Sequence, residues 1–108
     1  MRERIDRIIA RGEFDSLVRV LDGAKVPDVR YAADRLVRST GDGEAVLERT
    51  GNLIAREEPV SLHLACQLIP ACYAHDAPSA LKLLQSLAAE ADWTVRDAAT
   101  ETCGRVLR

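Results

Sequence analysis

The sequence predicts an all-α domain, and three observations predict it. Apolar residues recur at three- and four-residue spacing along nearly the whole chain, the spacing that lines one face of a helix. Gly, Pro and Asp stand between those segments, where helices end and begin. Aromatic content is only 4%, so Leu, Val, Ile and Ala must build the core. Small aliphatic cores suit close-packed helices better than sheets, which favour β-branched and aromatic residues.

Taken in order, Ile5, Ile8 and Ile9 mark a short first helix that Gly12 stops. Phe14, Leu17, Val18 and Leu21 mark a second, closed by Gly23. Val29, Ala32, Ala33, Leu36 and Val37 mark a third, with Pro27 near its start and Gly41 at its end. Asp42 is placed to cap a fourth that carries Val46, Thr50, Leu53 and Ile54. The fifth opens at Pro59 and is apolar almost all round: Val60, Leu62, Leu64, Ala65, Leu68, Ile69, Cys72 and Tyr73. Such a helix is expected to be central and covered on several sides. Pro70 inside it predicts a kink or an early end. Asp76 and Pro78 start a sixth, with Leu81, Leu84, Leu87, Ala88 and Ala91. Asp92 caps a seventh, with Val95, Ala99, Thr102, Cys103 and Val106, and positive charge at Arg105 and Arg108 suits its C-terminal dipole. Connections of two to five residues predict antiparallel packing of sequence neighbours.

The chain has 108 residues, which fits one domain with a core of its own. Net charge is −2, so the whole-domain basicity of most nucleic-acid binders is absent, although a local basic face is compatible with it. Three cysteines, Cys66, Cys72 and Cys103, follow no signal peptide, because Arg2, Glu3, Arg4 and Asp6 crowd the start. Reduced thiols in a cytoplasmic protein are the expectation. No apolar run approaches the roughly 20 residues that span a bilayer.

Two helix starts are alike. Val29-Arg30-Tyr31-Ala32-Ala33 and Val95-Arg96-Asp97-Ala98-Ala99 lie 66 residues apart, about twice the length of a helical-repeat unit. Placing Ala65 between Ala33 and Ala99 gives steps of 32 and 34, with Ser61 and Leu62 in place of Val-Arg in a degenerate middle unit. The Ala lets two helices approach closely, and the Arg is expected to pair with acidic turns, Asp28 and Asp92 being candidates. The units would be 13–38, 42–74 and 77–107, with helix 2–10 as an end cap.

These segments, with Gly41-Asp42-Gly43-Glu44-Ala45-Val46 and Asp92-Trp93-Thr94 ahead of the second, resemble HEAT-like repeats. The first resembles the lyase-type HEAT-like repeat. The stretch from Leu62 to Leu107 is similar to HEAT proteins grouped with bacterial DNA-alkylation-repair glycosylases. The resemblance implies a right-handed α-α solenoid of about three helix pairs over residues 1–108, either whole or part of a longer solenoid. It also implies a concave surface lined by the second helix of each pair. Members bind proteins, act in tetrapyrrole-protein maturation, or bind DNA. The alkylation-repair members are longer and have a basic concave face, and this chain departs on both counts.

Candidate binding residues follow. Arg30, Asp34, His63, Gln67, Arg96 and Thr100 are the polar residues of the helices expected to line the concave side. Trp93 and Asp97, at i and i+4, share a helical face. The alkylation-repair relatives use a Trp and an Asp one turn apart to hold a cation, for which an aromatic face and a carboxylate are both suited. The plainer reading makes Trp93 a first-turn packing residue and Asp97 a charge favoured at a helix start. Arg30 and Arg96 suit either phosphate contacts or structural pairing, and overall acidity favours pairing. His63, Cys66, Cys72 and His75 point in scattered directions on one helix, whereas zinc needs converging ligands, so no metal is expected. No cofactor motif is present: neither a phosphate-binding glycine loop nor a dinucleotide fingerprint occurs, and the serines have no base at motif spacing.

The sequence therefore predicts a non-catalytic module with a protein or peptide partner. The alternative is a DNA-binding relative of the alkylation-repair group, or part of one. The stripe of Val95, Ala99, Thr102, Cys103 and Val106, with Ala98 and Leu107 beside it, leaves an end face only partly polar. Self-association through the C-terminal helix, or continuation of the stack, is expected there.

Overall fold

A computed structural model describes residues 1–107 and contains seven α-helices. They are α1 (Arg2–Arg11), α2 (Phe14–Leu21), α3 (Val26–Thr40), α4 (Gly43–Ala55), α5 (Pro59–His75), α6 (Ala77–Ala88) and α7 (Trp93–Val106). There is no strand among the described residues. Arg108, expected beside Arg105 at the chain's end, lies outside them. No helix of the described residues is long and apolar enough to cross a membrane.

The boundaries follow from local chemistry. Gly12 and Gly41 adopt left-handed backbone, φ 71° and 66°, just past α1 and α3, a conformation that side chains with a Cβ resist. Asp42, Asp76 and Asp92 each accept the first free N–H groups of the helix that follows, from Glu44, Ser79 and Thr94. Asp76 is the whole connection between α5 and α6, shorter than the sequence suggests, because it ends one helix and caps the next.

Helix α5 is the hub. It packs on α2, α3, α4, α6 and α7. Its buried residues, Ser61, Leu62, Leu64, Ala65, Cys66, Leu68, Ile69 and Cys72, cover more than half of its circumference, and the remaining face, with His63, Gln67, Pro70 and Ala71, is only half-buried. The helices α1, α3, α5 and α7 form a succession in which each packs on the next of the set, while α4 rests on α5, α3 and α6. The alignable positions Ala33, Ala65 and Ala99 are all buried, and so are Val29, Ser61 and Val95 one turn earlier. A small side chain at the first set lets α3, α5 and α7 close on one another.

Two expectations are corrected. Of the kink or early end expected at Pro70, the early end does not occur, and the helix runs to His75. Proline has no N–H, so the carbonyl of Cys66 loses its partner within the helix. The Thr102 hydroxyl of α7 lies 3.4 Å from that oxygen while donating at 2.8 Å to Ala98 O. The neighbouring helix thus offers polar company where proline removes it. Second, α2 packs on α1 and α5 rather than along its sequence neighbour α3. At eight residues it is short, and Gly23 turns the chain away at φ 77°. Arg49 of α4 stacks 3.4 Å over the Phe14 ring, and Arg56 pairs with Asp15, which tie α2 to α4 instead.

Leu68 is 1% exposed at the centre of the hub, whereas Glu48 lies on the outer face of α4. Leu68→Ala is expected to cost about 2–5 kcal/mol through lost burial and a residual cavity, and Glu48→Gln under about 0.5 kcal/mol. Denaturant unfolding of both variants measures the difference, and equal losses would contradict this assignment of inside and outside.

Candidate functional site

A groove crosses the face made by α3, α5 and α7, with α1 at its edge. Its volume is about 480 Å³, within the range of ligand clefts. Ala33, Val37, Pro70 and Ala71 form an apolar floor, and Arg2, Arg30, Asp34, Gln67 and Arg105 supply polar groups. Spacing on α3 explains part of this: Arg30, Ala33, Asp34 and Val37 are three or four residues apart and so share a face. Arg30 reaches across α5 to Glu101 of α7 at 3.0 Å, and Arg105 donates to the Gln67 side chain at 3.2 Å. Both contacts are exposed. Asp34 pairs with Arg38 one turn on, at 3.3 Å.

Tyr31 forms the wall beside Arg2, whose guanidinium lies 4.8 Å from the ring centre. The Tyr31 hydroxyl donates to Asp6 at 2.9 Å, and that bond pushes its pKa above the usual tyrosine value. Arg35 holds the same carboxylate at 3.0 Å. One edge of the groove is therefore fixed by a link from α3 to α1.

A second cleft of about 280 Å³ adjoins through Gln67, which lines both. Its walls are mostly apolar, from Leu21, Val26, Val29, Pro59 and Val60, with His63 among them. The His63 ring bonds the Thr94 hydroxyl at 3.1 Å.

The eight residues expected from sequence do not converge on one spot. Arg30, Asp34 and Gln67 meet in the groove, and His63 joins Gln67 in the adjoining cleft. Thr100 is exposed, donates to Arg96 O at 3.0 Å, and lines a separate apolar cavity of about 410 Å³ between α6 and α7. That cavity, with Leu81, Leu84, Ala88, Ala99 and Cys103, occupies the end face for which self-association was expected. Arg96, Trp93 and Asp97 are exposed and line neither cleft. Trp93 is 67% exposed, so it is not the packing residue that the plainer reading made it. The expected ion pairs also change: Arg30 takes Glu101 rather than an acidic turn, and Asp92 spends its carboxylate on Thr94. Arg2, Tyr31 and Arg105 belong to the groove although sequence gave no sign of it. Their places depend on α1 lying along α3 and on α7 flanking α5.

Most of the remaining reactive groups are occupied or buried, half-buried Cys103 and Ser16 excepted. The hydroxyls of Ser39, Ser61 and Ser86 donate to backbone carbonyls, and Ser79 donates to Asp76. Burial pushes the Cys66 thiol up to about 12 and raises Cys72 as well. His75 bonds Glu44 at 2.9 Å, and Gly43 leaves room for it, since an added Cβ would fall 2.5 Å from the ring. Among the described residues no three His, Cys, Asp or Glu side chains are grouped as metal ligands. Set against known protein families, curated proteins and solved structures, the chain matches none.

Two outcomes follow. Cys66 and Cys72 are expected to resist a thiol reagent in the native state, while half-buried Cys103 reacts first; timed labelling read by mass spectrometry checks the order. Asp92 and Asp76 sit below the usual carboxylate range, chiefly because the Thr94 and Ser79 hydroxyls bond them. A depressed folded-state pKa stabilises above the unfolded value of about 3.9 and loses that contribution as pH falls through the folded value. The melting temperature of the native chain is thus expected to exceed that of an Asp76→Asn, Asp92→Asn variant at neutral pH, with the gap shrinking below about pH 4. A gap that is constant with pH would contradict a contribution from the two carboxylate charges.

Proposed function

We propose that the chain is a non-catalytic helical-repeat module that binds a protein or peptide segment along the groove of α3, α5 and α7. The observation that carries this reading is the groove itself. It crosses three helices, has an apolar floor, and is rimmed by polar groups whose contacts are exposed. Exposed ion pairs contribute little to folding, so these side chains are free to serve a ligand. The engaged hydroxyls of Ser39, Ser61, Ser79 and Ser86 and the buried thiols of Cys66 and Cys72 support a binding rather than a catalytic role.

In this reading the fold is a HEAT-like stack of the units 13–38, 42–74 and 77–107, with helix 2–10 as its cap, the first unit departing from the pattern because α2 packs on α1 and α5 rather than along α3. The buried alanines at 33, 65 and 99, on helices that pack one on the next, support it. The groove then corresponds to the concave side. A cytoplasmic setting agrees with three unpaired cysteines, which favour a reducing compartment.

Alanine substitution at Arg30, Gln67 and Arg105 is expected to weaken capture of the partner while leaving the melting temperature within a few degrees, since each side chain is exposed or half-buried. Unfolding by all three, or undiminished capture, would remove the groove from the reading.

One observation favours a second reading, a DNA-binding relative of the alkylation-repair group. Trp93 is 67% exposed, with exposed Asp97 one turn away. Titration with duplex DNA at low and moderate salt separates the two: binding that weakens steeply with salt and is lost in Trp93→Ala supports DNA, and no binding at low salt excludes it.

A further inference from the structure

We propose that the segment held in the groove is an acidic peptide, and that Glu101 occupies the place of one of its carboxylates until the peptide arrives. This rests on the reading of the groove as a peptide site and specifies the ligand's chemistry.

Charge carries it first. The chain as a whole is net −2, yet the groove is lined by three arginines, Arg2, Arg30 and Arg105, against one lining carboxylate, Asp34. Two more at the rim, Asp28 and Glu101, hold Arg2 and Arg30 but leave Arg105 without one. Asp34 is already matched by Arg38 at 3.3 Å. Arg105 has only the neutral Gln67 amide oxygen, at 3.2 Å, and no carboxylate within ion-pair distance among the described residues. A guanidinium in that state lacks the partner its planar fork fits best.

Arg30 supplies the second observation. Its guanidinium holds Glu101 at 3.0 Å across the width of α5, with the two side chains 49% and 66% exposed. The contact shows that the rim binds a carboxylate in this geometry. It is also exposed enough to exchange, because such pairs are weak in water. A ligand carboxylate can take Arg30 and release Glu101 to solvent, while a second takes Arg105.

The floor decides between anions. Ala33, Val37, Pro70 and Ala71 favour apolar side chains between the acidic ones. The adjoining cleft through Gln67 offers a further apolar pocket at Leu21, Val26 and Val60. A nucleic acid places a phosphate at every step and would meet Asp34, Asp28 and Glu101 along the rim. A peptide with one or two carboxylates between apolar residues meets fewer of them.

The test is selection of a random dodecapeptide display library on the full chain. Fluorescence anisotropy of the enriched peptides, made synthetically, follows. The expected consensus carries Asp or Glu flanked by apolar residues. Arg30→Gln and Arg105→Gln should each weaken the synthetic peptide about tenfold, the loss of one charge-assisted hydrogen bond. Glu101→Gln should tighten it severalfold by removing the internal competitor, an effect that a purely structural Arg30–Glu101 bridge would not give. Enriched peptides without acidic residues that still lose affinity in Ala71→Gln, which fills the floor, overturn the acidic ligand and leave the groove reading standing. Failure to enrich any peptide, or indifference of the enriched ones to Ala71→Gln in a variant of unchanged melting temperature, overturns both. Displacement of the bound peptide by duplex DNA at physiological salt overturns the proposal in favour of a nucleic acid.

Discussion

Burial of α5 over most of its circumference is the constraint from which the rest of the molecule follows. A helix with Leu62, Leu64, Leu68, Ile69 and Cys72 over more than half of its circumference can leave only a narrow face, that of His63, Gln67, Pro70 and Ala71, partly open to water. It must be surrounded, and each surrounding helix needs only one apolar stripe of its own. That requirement places α3 and α7 on either side of α5 and sets α4 and α6 against it as well. The hydroxyls drawn into this core are satisfied locally: Ser61 donates to Glu58 O at 2.8 Å and Thr50 to Val46 O at 2.8 Å. Buried hydroxyls bonded in this way avoid most of the desolvation cost of an unpaired one. Pro70 would be a defect in an isolated helix. Here, on the half-buried face of a helix held by packing on its other sides, it is tolerated where one backbone bond is missing.

The groove is a consequence of the same arrangement. With α3 and α7 both resting on α5, their outward residues face each other across a floor of small side chains, Ala33, Pro70 and Ala71. Long arginines then bridge the gap, Arg30 to Glu101 and Arg105 to Gln67. The core and the rim differ in energetic character. Core contacts are dry and numerous, so their removal is costly. Rim contacts are wet and replaceable, the property wanted at a surface that exchanges partners.

Much of the fold was legible because its signals are local. Helix periodicity, glycine stops and aspartate caps need no knowledge of distant residues, and Gly12, Gly41, Asp42, Asp76 and Asp92 perform as their chemistry requires. The central position of α5 was legible too, since only a covered helix can be apolar all round. The site was legible in part. Arg30 and Asp34 could be read from the spacing on α3, but Trp93 looked like a packing residue and stands in water. Nothing in the amphipathic pattern says which first-turn side chain the neighbouring helix will miss.

The sequence by itself determined seven helices, their caps, and which of them lies at the centre, because hydrogen-bonding and apolar periodicity act over a few residues. Only the tertiary structure decided that Arg2, Arg30, Gln67 and Arg105 share one groove, that α2 packs on α1 and α5 rather than along α3, and that Pro70 sits inside a helix running on to His75. Those outcomes depend on how helices distant in sequence settle against α5. The fit of side-chain volumes across several interfaces at once settles them, a quantity that no stretch of the chain carries alone.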